Sequence, residues 1–285
     1  MKQQTNKNIS KTDKAWNQLY SRLQQDGLLT DTAEKKRNVI FSVRNTGWAA
    51  AILLLFISAT VALLTNRSAS PEPALFTLQN KQDATVLVKT LEDGSIIYLA
   101  DNSQIQYPEH FATDKRTVSL KGNALFNVSG NKERPFLIET EDMQIEVIGT
   151  AFNVKNSNNK LFELSVQHGT VKVTYRQNNE SVFVNAGETA TLLSRRLQIS
   201  KTQDLGQFAR YTKQMQFKDE RLADILQVVN QANPGISIET TPSMKEHRLT
   251  VRFINNSPEE IAQLICAALN LKYTREKNIV FISEP

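Results

Sequence analysis

The feature that most constrains this chain is one uncharged apolar run, Gly47 to Leu64, reading GWAAAILLLFISATVALL. No charged residue stands between Arg44 and Arg67. At helical rise such a run spans about 27 Å, close to the hydrocarbon thickness of a bilayer. Leu53-Leu54-Leu55-Phe56-Ile57 shows no polar face, which argues against a core helix of a globular domain. In lipid a helix satisfies its own backbone groups, so residues 47–65 are expected to form a single transmembrane helix. A head, residues 1–46, would then be separated by a membrane from a much longer body.

Charge orients the two parts. The chain carries a formal +5, and residues 1–45 alone account for it, with nine Lys or Arg against four Asp or Glu. Residues 66–285 are neutral overall, so the body has no surplus with which to neutralise nucleic-acid phosphates. Lys35, Lys36, Arg37 and Arg44 precede the run, whereas Arg67 and Lys81 beyond it are offset by Glu72 and Asp83. The positive-inside rule then expects a cytoplasmic head and an exported body. A cleaved signal peptide is the competing reading of the run, with Ser68-Ala69-Ser70 as a loose cleavage site. Such peptides have a short basic start and a shorter apolar stretch than this one.

Within the head, Ser10-Lys11-Thr12-Asp13 reads as a helix start. Trp16, Leu19, Tyr20 and Leu23 follow at helical spacing, and Gly27 is a natural stop. So short a segment cannot bury that stripe by itself. Its apolar face is expected to fold onto a partner, or to lie on the inner leaflet with its lysines against anionic lipid.

Residues 66–84 read as a polar linker containing Pro71 and Pro73. Over residues 85–200 the pattern changes to period two, with Phe162, Leu164 and Val166 alternating with polar residues. His168-Gly169 suggests a tight hairpin into Val171, Val173 and Tyr175, and Asp93-Gly94 punctuates another pair. About a dozen short strands are expected, forming either a sandwich or a solenoid-like stack.

After a bridge at residues 201–213 the period changes again. Residues 214–285 read as a small α+β domain of two βαβ units. Leu222, Ile225, Leu226 and Val229 form one helical face. Ser257-Pro258-Glu259-Glu260 caps a second helix, with Ile261, Leu264, Ile265, Ala268 and Leu269 expected inside. The fold class expected is thus a membrane-anchored multidomain chain: helical head, one transmembrane helix, all-β domain and α+β domain.

Catalytic chemistry is not signalled. There is no Gly-rich phosphate loop, no HExxH and no CxxC, and His110, His168 and His247 are far apart in sequence. No metal or organic cofactor is expected. Cys266, the single cysteine, lies in an apolar helical run and reads as a small buried hydrophobe. Binding and transmission are favoured over catalysis.

The ordered series LEDGSIIYLADNSQIQYP (Leu91–Pro108), RTVSLKGNALFNV (Arg116–Val128), PFLIET (Pro135–Thr140), VIGTAFNVK (Val147–Lys155), VQHGTVKV (Val166–Val173) and VNAGETATL (Val184–Leu192) resembles the FecR-type anti-sigma regulators of Bacteroidetes-like bacteria. MQFKDERLADILQVVNQ (Met215–Gln231) resembles their small C-terminal domain, which is similar to the signalling (STN-like) domain of TonB-dependent outer-membrane receptors. The resemblance departs from the family pattern at Gly122-Asn123-Ala124-Leu125-Phe126, and at Phe208 and Tyr211, where a tryptophan is often found.

The resemblance implies an inner-membrane protein with a periplasmic body. Its head would hold an extracytoplasmic-function (ECF) sigma factor, with Trp16, Leu19, Tyr20 and Leu23 as the contact. Its body would read the state of a TonB-dependent receptor through that receptor's N-terminal signalling domain. It also suggests self-cleavage between Gly149 and Thr150, in which the Thr150 hydroxyl attacks the Gly149 carbonyl. The plainer reading is that Gly149-Thr150 bends between two strands, with Phe152 and Val154 in the core. The alternative function is an anchored periplasmic binding or assembly protein with no sigma factor partner.

Overall fold

Alternation in the body predicts strands with one face inward, and the computed structural model shows them assembled into two large sheets. It describes residues 9–27, 58, 74–81, 85–156 and 162–284. Two compact units divide the chain, Met1–Ala69 and Ser70–Pro285.

In the first unit, helix α1 runs from Ile9 to Gln25. Its first described residue stands one before Ser10, where the sequence places the helix start. The helix stops two residues before Gly27, as the sequence suggests. The expected transmembrane helix is corrected: among the described residues no helix is long and apolar enough to cross a membrane. Helix α1 is the longest described, at 17 residues, and it carries Lys11, Asp13, Lys14 and Arg22. Residues 47–65 themselves lie outside the described residues, apart from Ser58.

Strands of the second unit are numbered in chain order. One sheet of seven runs β1 (Leu75–Asn80), β4 (Ser103–Pro108), β5 (Arg116–Lys121), β7 (Phe136–Glu139), β8 (Met143–Val147), β11 (Thr170–Tyr175) and β12 (Glu180–Asn185). A sheet of nine runs β14 (Arg196–Lys201), β13 (Glu188–Leu193), β10 (Glu163–His168), β9 (Ala151–Lys155), β6 (Ala124–Asn127), β3 (Ile96–Leu99), β2 (Val86–Thr90), β15 (Gln214–Arg221) and β17 (Arg248–Ile254). The two share one buried core, to which Ile105, Val118, Ile138, Ile145 and Val173 come from the first sheet and Ile97, Leu99, Phe126, Phe152 and Leu164 from the second. They therefore lie face to face as a sandwich.

His168-Gly169 does not make the expected hairpin. β10 pairs with β9 and β13, whereas β11 pairs with β8 and β12, so the chain crosses between sheets at this point. The reason is packing. A Cβ on Gly169 would stand 2.6 Å from Thr150 Cγ2, in a backbone with φ of +85°. Only glycine fits such a corner.

The C-terminal segment departs further from expectation. Helices α2 (Gln207–Lys213), α3 (Leu222–Ala232) and α4 (Pro258–Leu269) alternate with strands. Yet β15 pairs antiparallel with β17, while β16 (Ser237–Thr240) pairs parallel with β19 (Ile279–Ser283) in a separate sheet that also holds β18 (Lys272–Glu276). Neither expected βαβ unit keeps both its strands in one sheet. β15, eight residues long, is taken instead by β17 on one side and β2 on the other.

The helix caps and faces mostly follow the sequence. Leu222, Ile225, Leu226 and Val229 are buried. Ser257 and Glu260 form a reciprocal capping box at α4. Its inner face is rotated from the one expected: Ile261, Ala262, Ile265 and Cys266 are buried, and Leu264 is exposed. Burial raises the pKa of the Cys266 thiol. His168 and His247 are exposed; Ser165, read as part of a polar face, is buried against the Thr189 hydroxyl at 2.9 Å.

Candidate functional site

The residues singled out by sequence fall into two separate places. The first is the apolar face of α1. Trp16, Leu19 and Tyr20 recur at helical spacing and are 61 %, 49 % and 60 % exposed, with Leu23 half-buried. An aromatic pair held on one helical face, with no cover among the described residues, is a surface suited to a groove on another protein.

The second place is Gly149-Thr150, at the corner between β8 and β9. A Cβ on Gly149 would stand 2.6 Å from Gly130 Cα, so the two backbones touch where a side chain would sit. The Thr150 carbonyl accepts from Val128 N–H at 2.9 Å. Its hydroxyl is buried and has no hydrogen-bond partner among the described residues. Phe152 and Val154 beyond it are fully buried. The corner is thus a close-packed crossing between sheets, with an uncompensated hydroxyl at its centre.

Beside that corner lies a buried charge that the sequence reading did not single out. The Arg116 side chain is 1 % exposed. Its Nη1 donates to Asp93 Oδ2 at 2.6 Å and to the Ser129 carbonyl at 2.9 Å. Nε donates to the Arg134 carbonyl at 2.8 Å, and Nη2 to the Ile148 carbonyl at 3.3 Å. The guanidinium also stands 5.3 Å from the centre of the Phe136 ring. One planar group therefore ties the β2–β3 turn to the segments before β7 and β9. A signal was present in the sequence: Arg116, Val118 and Leu120 share parity, so alternation sends all three inward.

A third constellation joins the sandwich to its C-terminal segment. Lys89 Nζ donates to Glu220 Oε1 at 2.6 Å, and the Glu220 side chain is 4 % exposed. Burial raises the Glu220 pKa, an effect that Lys89 only partly offsets. Tyr211 OH donates to Asn153 Oδ1 at 2.9 Å, while Asn153 Nδ2 donates to Gln207 Oε1 at 2.8 Å. Burial pushes the Tyr211 hydroxyl up to about 12. Each polar group here finds another protein group, as structural fastening requires. Among the described residues no cluster of His, Cys, Asp or Glu is arranged to hold a metal.

Comparison with known proteins finds a similarity for part of this architecture. The family model described as FecR protein matches residues 80–172. No curated protein matches the chain. Two crystal structures of a candidate anti-sigma factor from Parabacteroides distasonis are similar at 21 % identity. They cover 74 % of this chain and 100 % and 99 % of their own, with TM-scores of 0.45 and 0.44. Those scores are too low for the likeness to bear on how this chain works. The matched span runs from the end of β1 into β11 and contains both the Arg116 network and the Gly149-Thr150 corner.

Proposed function

We propose that the chain is an anti-sigma regulator, in which α1 holds an ECF sigma factor and the β-rich body controls that hold. The observation that carries the reading is the FecR match over residues 80–172 in a chain that also presents an uncovered aromatic helix face. Trp16, Leu19, Tyr20 and Leu23 are the contact. In this reading the head works in the cytoplasm and the body in the periplasm of a bacterial cell. The body responds to the N-terminal signalling domain of a TonB-dependent outer-membrane receptor. Regulation then needs only that the body bind two receptor states with different affinity, and no chemical step is required.

The test is a pull-down with the full-length protein beside a Trp16→Ala/Leu19→Ala variant. The first should recover a small sigma factor and the second should lose it. Both side chains are about half exposed or more, so the variant should unfold within about 0.5 kcal/mol of the parent. Equal recovery by both proteins, or recovery of no sigma factor by either, would sink the reading.

A further inference from the structure

The C-terminal segment covers part of the sandwich. A second buried core gathers Val88, Ile96, Tyr98 and Leu125 from the outer face of the nine-stranded sheet. The same core holds Phe208, Met215, Phe217, Leu226 and Ile265 from the C-terminal elements. β3 is consequently buried on both faces, with Ile97 and Leu99 in one core and Ile96 and Tyr98 in the other.

The backbone joint beneath this shared core is slight. β15 meets β2 in parallel over two residue pairs, Met215 with Val86 and Gln216 with Leu87. The β11–β12 ladder has six pairs. Parallel pairing is also the weaker kind per residue. What fixes the register is side-chain chemistry, and Lys89–Glu220 is its centre. A slip of β15 along β2 would leave the Glu220 carboxylate buried without its cation, which is costly. Gln231 adds an exposed hydrogen bond to Asn127 at 2.9 Å, and Gln227 another to the Gly94 carbonyl at 3.4 Å. A short ladder with one buried ion pair closes in a single register, and parting it breaks few backbone bonds together with the Tyr211–Asn153 and Asn153–Gln207 hydrogen bonds.

We propose that the β2–β15 seam is a releasable joint, closed at rest, whose opening uncovers Val88, Ile96, Tyr98 and Leu125 together with the edge of β2. In chain order β2 is the first described strand of the nine-stranded sheet, after β1 in the other sheet. The joint does not depend on the function proposed above.

Hydrogen exchange on the purified full-length protein tests it. In the parent, amides along Val86–Leu87 and Met215–Gln216 should exchange faster than those of β8 and β11, through an opening short of global unfolding. Lys89→Met leaves Glu220 uncompensated and should speed the seam amides by about tenfold or more, with β8 and β11 unchanged. Lys89→Met/Glu220→Leu removes both charges and should bring the seam back to within about threefold of the parent. Should Lys89→Met prevent folding, the parent and the double variant still decide. Seam amides that exchange only together with β8 and β11 in every protein would overturn the joint. Exchange is read without a sigma factor, so that failure is distinct from failure of the pull-down.

Discussion

Replacing Arg116 by methionine keeps the length and apolar contacts of the side chain and removes its charge. Asp93 would keep the Ser95 N–H and hydroxyl at 3.0 and 2.7 Å but lose its cation. The Ile148 carbonyl would keep the Asn131 N–H at 2.9 Å. The Ser129 and Arg134 carbonyls would lose the donors described above. Breaking a buried pair from one side costs about 3–5 kcal/mol. A buried carbonyl left without a donor costs about 1 kcal/mol or more. Because Asp93 and the Ile148 carbonyl retain partners, the pair is taken at its low end of about 3 kcal/mol, and the two stranded carbonyls add about 1 kcal/mol each, so about 5 kcal/mol is the expected loss. For a folded unit of this size that lowers the Tm by about 10–20 °C. Far-UV circular dichroism during urea and thermal unfolding measures both. Arg116→Met/Asp93→Leu should recover part of the loss, because it leaves no uncompensated carboxylate. A loss under about 1 kcal/mol for Arg116→Met would refute the argument that this guanidinium holds the turns together.

Gly149→Ala should cost about 1–3 kcal/mol in the same unfolding assay, because the new methyl meets the Gly130 backbone rather than a side chain that can move. Thr150→Val removes an uncompensated buried hydroxyl at nearly constant volume and should be neutral or stabilising by up to about 1 kcal/mol. The same variant beside the parent on a denaturing gel reads self-cleavage at Gly149–Thr150: a cut parent and an uncut variant would support it, and an intact parent would count against it. The backbone N–H and hydroxyl of Ser257 hold the Glu260 pKa below its ordinary value. Its cap is therefore fully present above the unfolded carboxylate pKa and is lost as pH falls through the lowered folded value. Amide protection in the first turn of α4 should decline with acid in that window, and Glu260→Gln should flatten the decline.

Strands β5, β7, β8 and β11 were legible because they alternate: Val118 and Leu120, Ile138, Ile145, and Val171 and Val173 each fall on the inward parity of their strand and are buried. The caps of α4 were legible because capping is a contact over three residues. Pairing was not legible. His168-Gly169 carries hairpin chemistry, yet its neighbours in space are Gly149 and Thr150, twenty residues away in the chain, and they turn it into a corner between sheets. Arg116 was readable by parity. Its partner Asp93 was hidden in plain turn vocabulary, since Asp before Gly is what any turn would carry.

Glu220 shows why the joint between the sandwich and its C-terminal segment could not be read from sequence. Met215 and Phe217 share the inward parity of β15, and continued alternation would send Asp219 inward and Glu220 outward. The register instead shifts between Phe217 and Glu220, with Asp219 at φ of +51°. That irregularity reverses the parity, so Asp219 faces solvent and Glu220 turns in to meet Lys89, 131 residues earlier. Nothing local requires the reversal. It makes sense only once β2 is alongside, because an inward carboxylate is tolerable only against a cation. Ile96-Ile97-Tyr98-Leu99 carries the complementary trace: a strand with one solvent face should alternate, and this one does not, because a second core covers it. An unbroken apolar run within an alternating sheet was therefore the sequence mark of a covering segment, although it could not say which segment covers it.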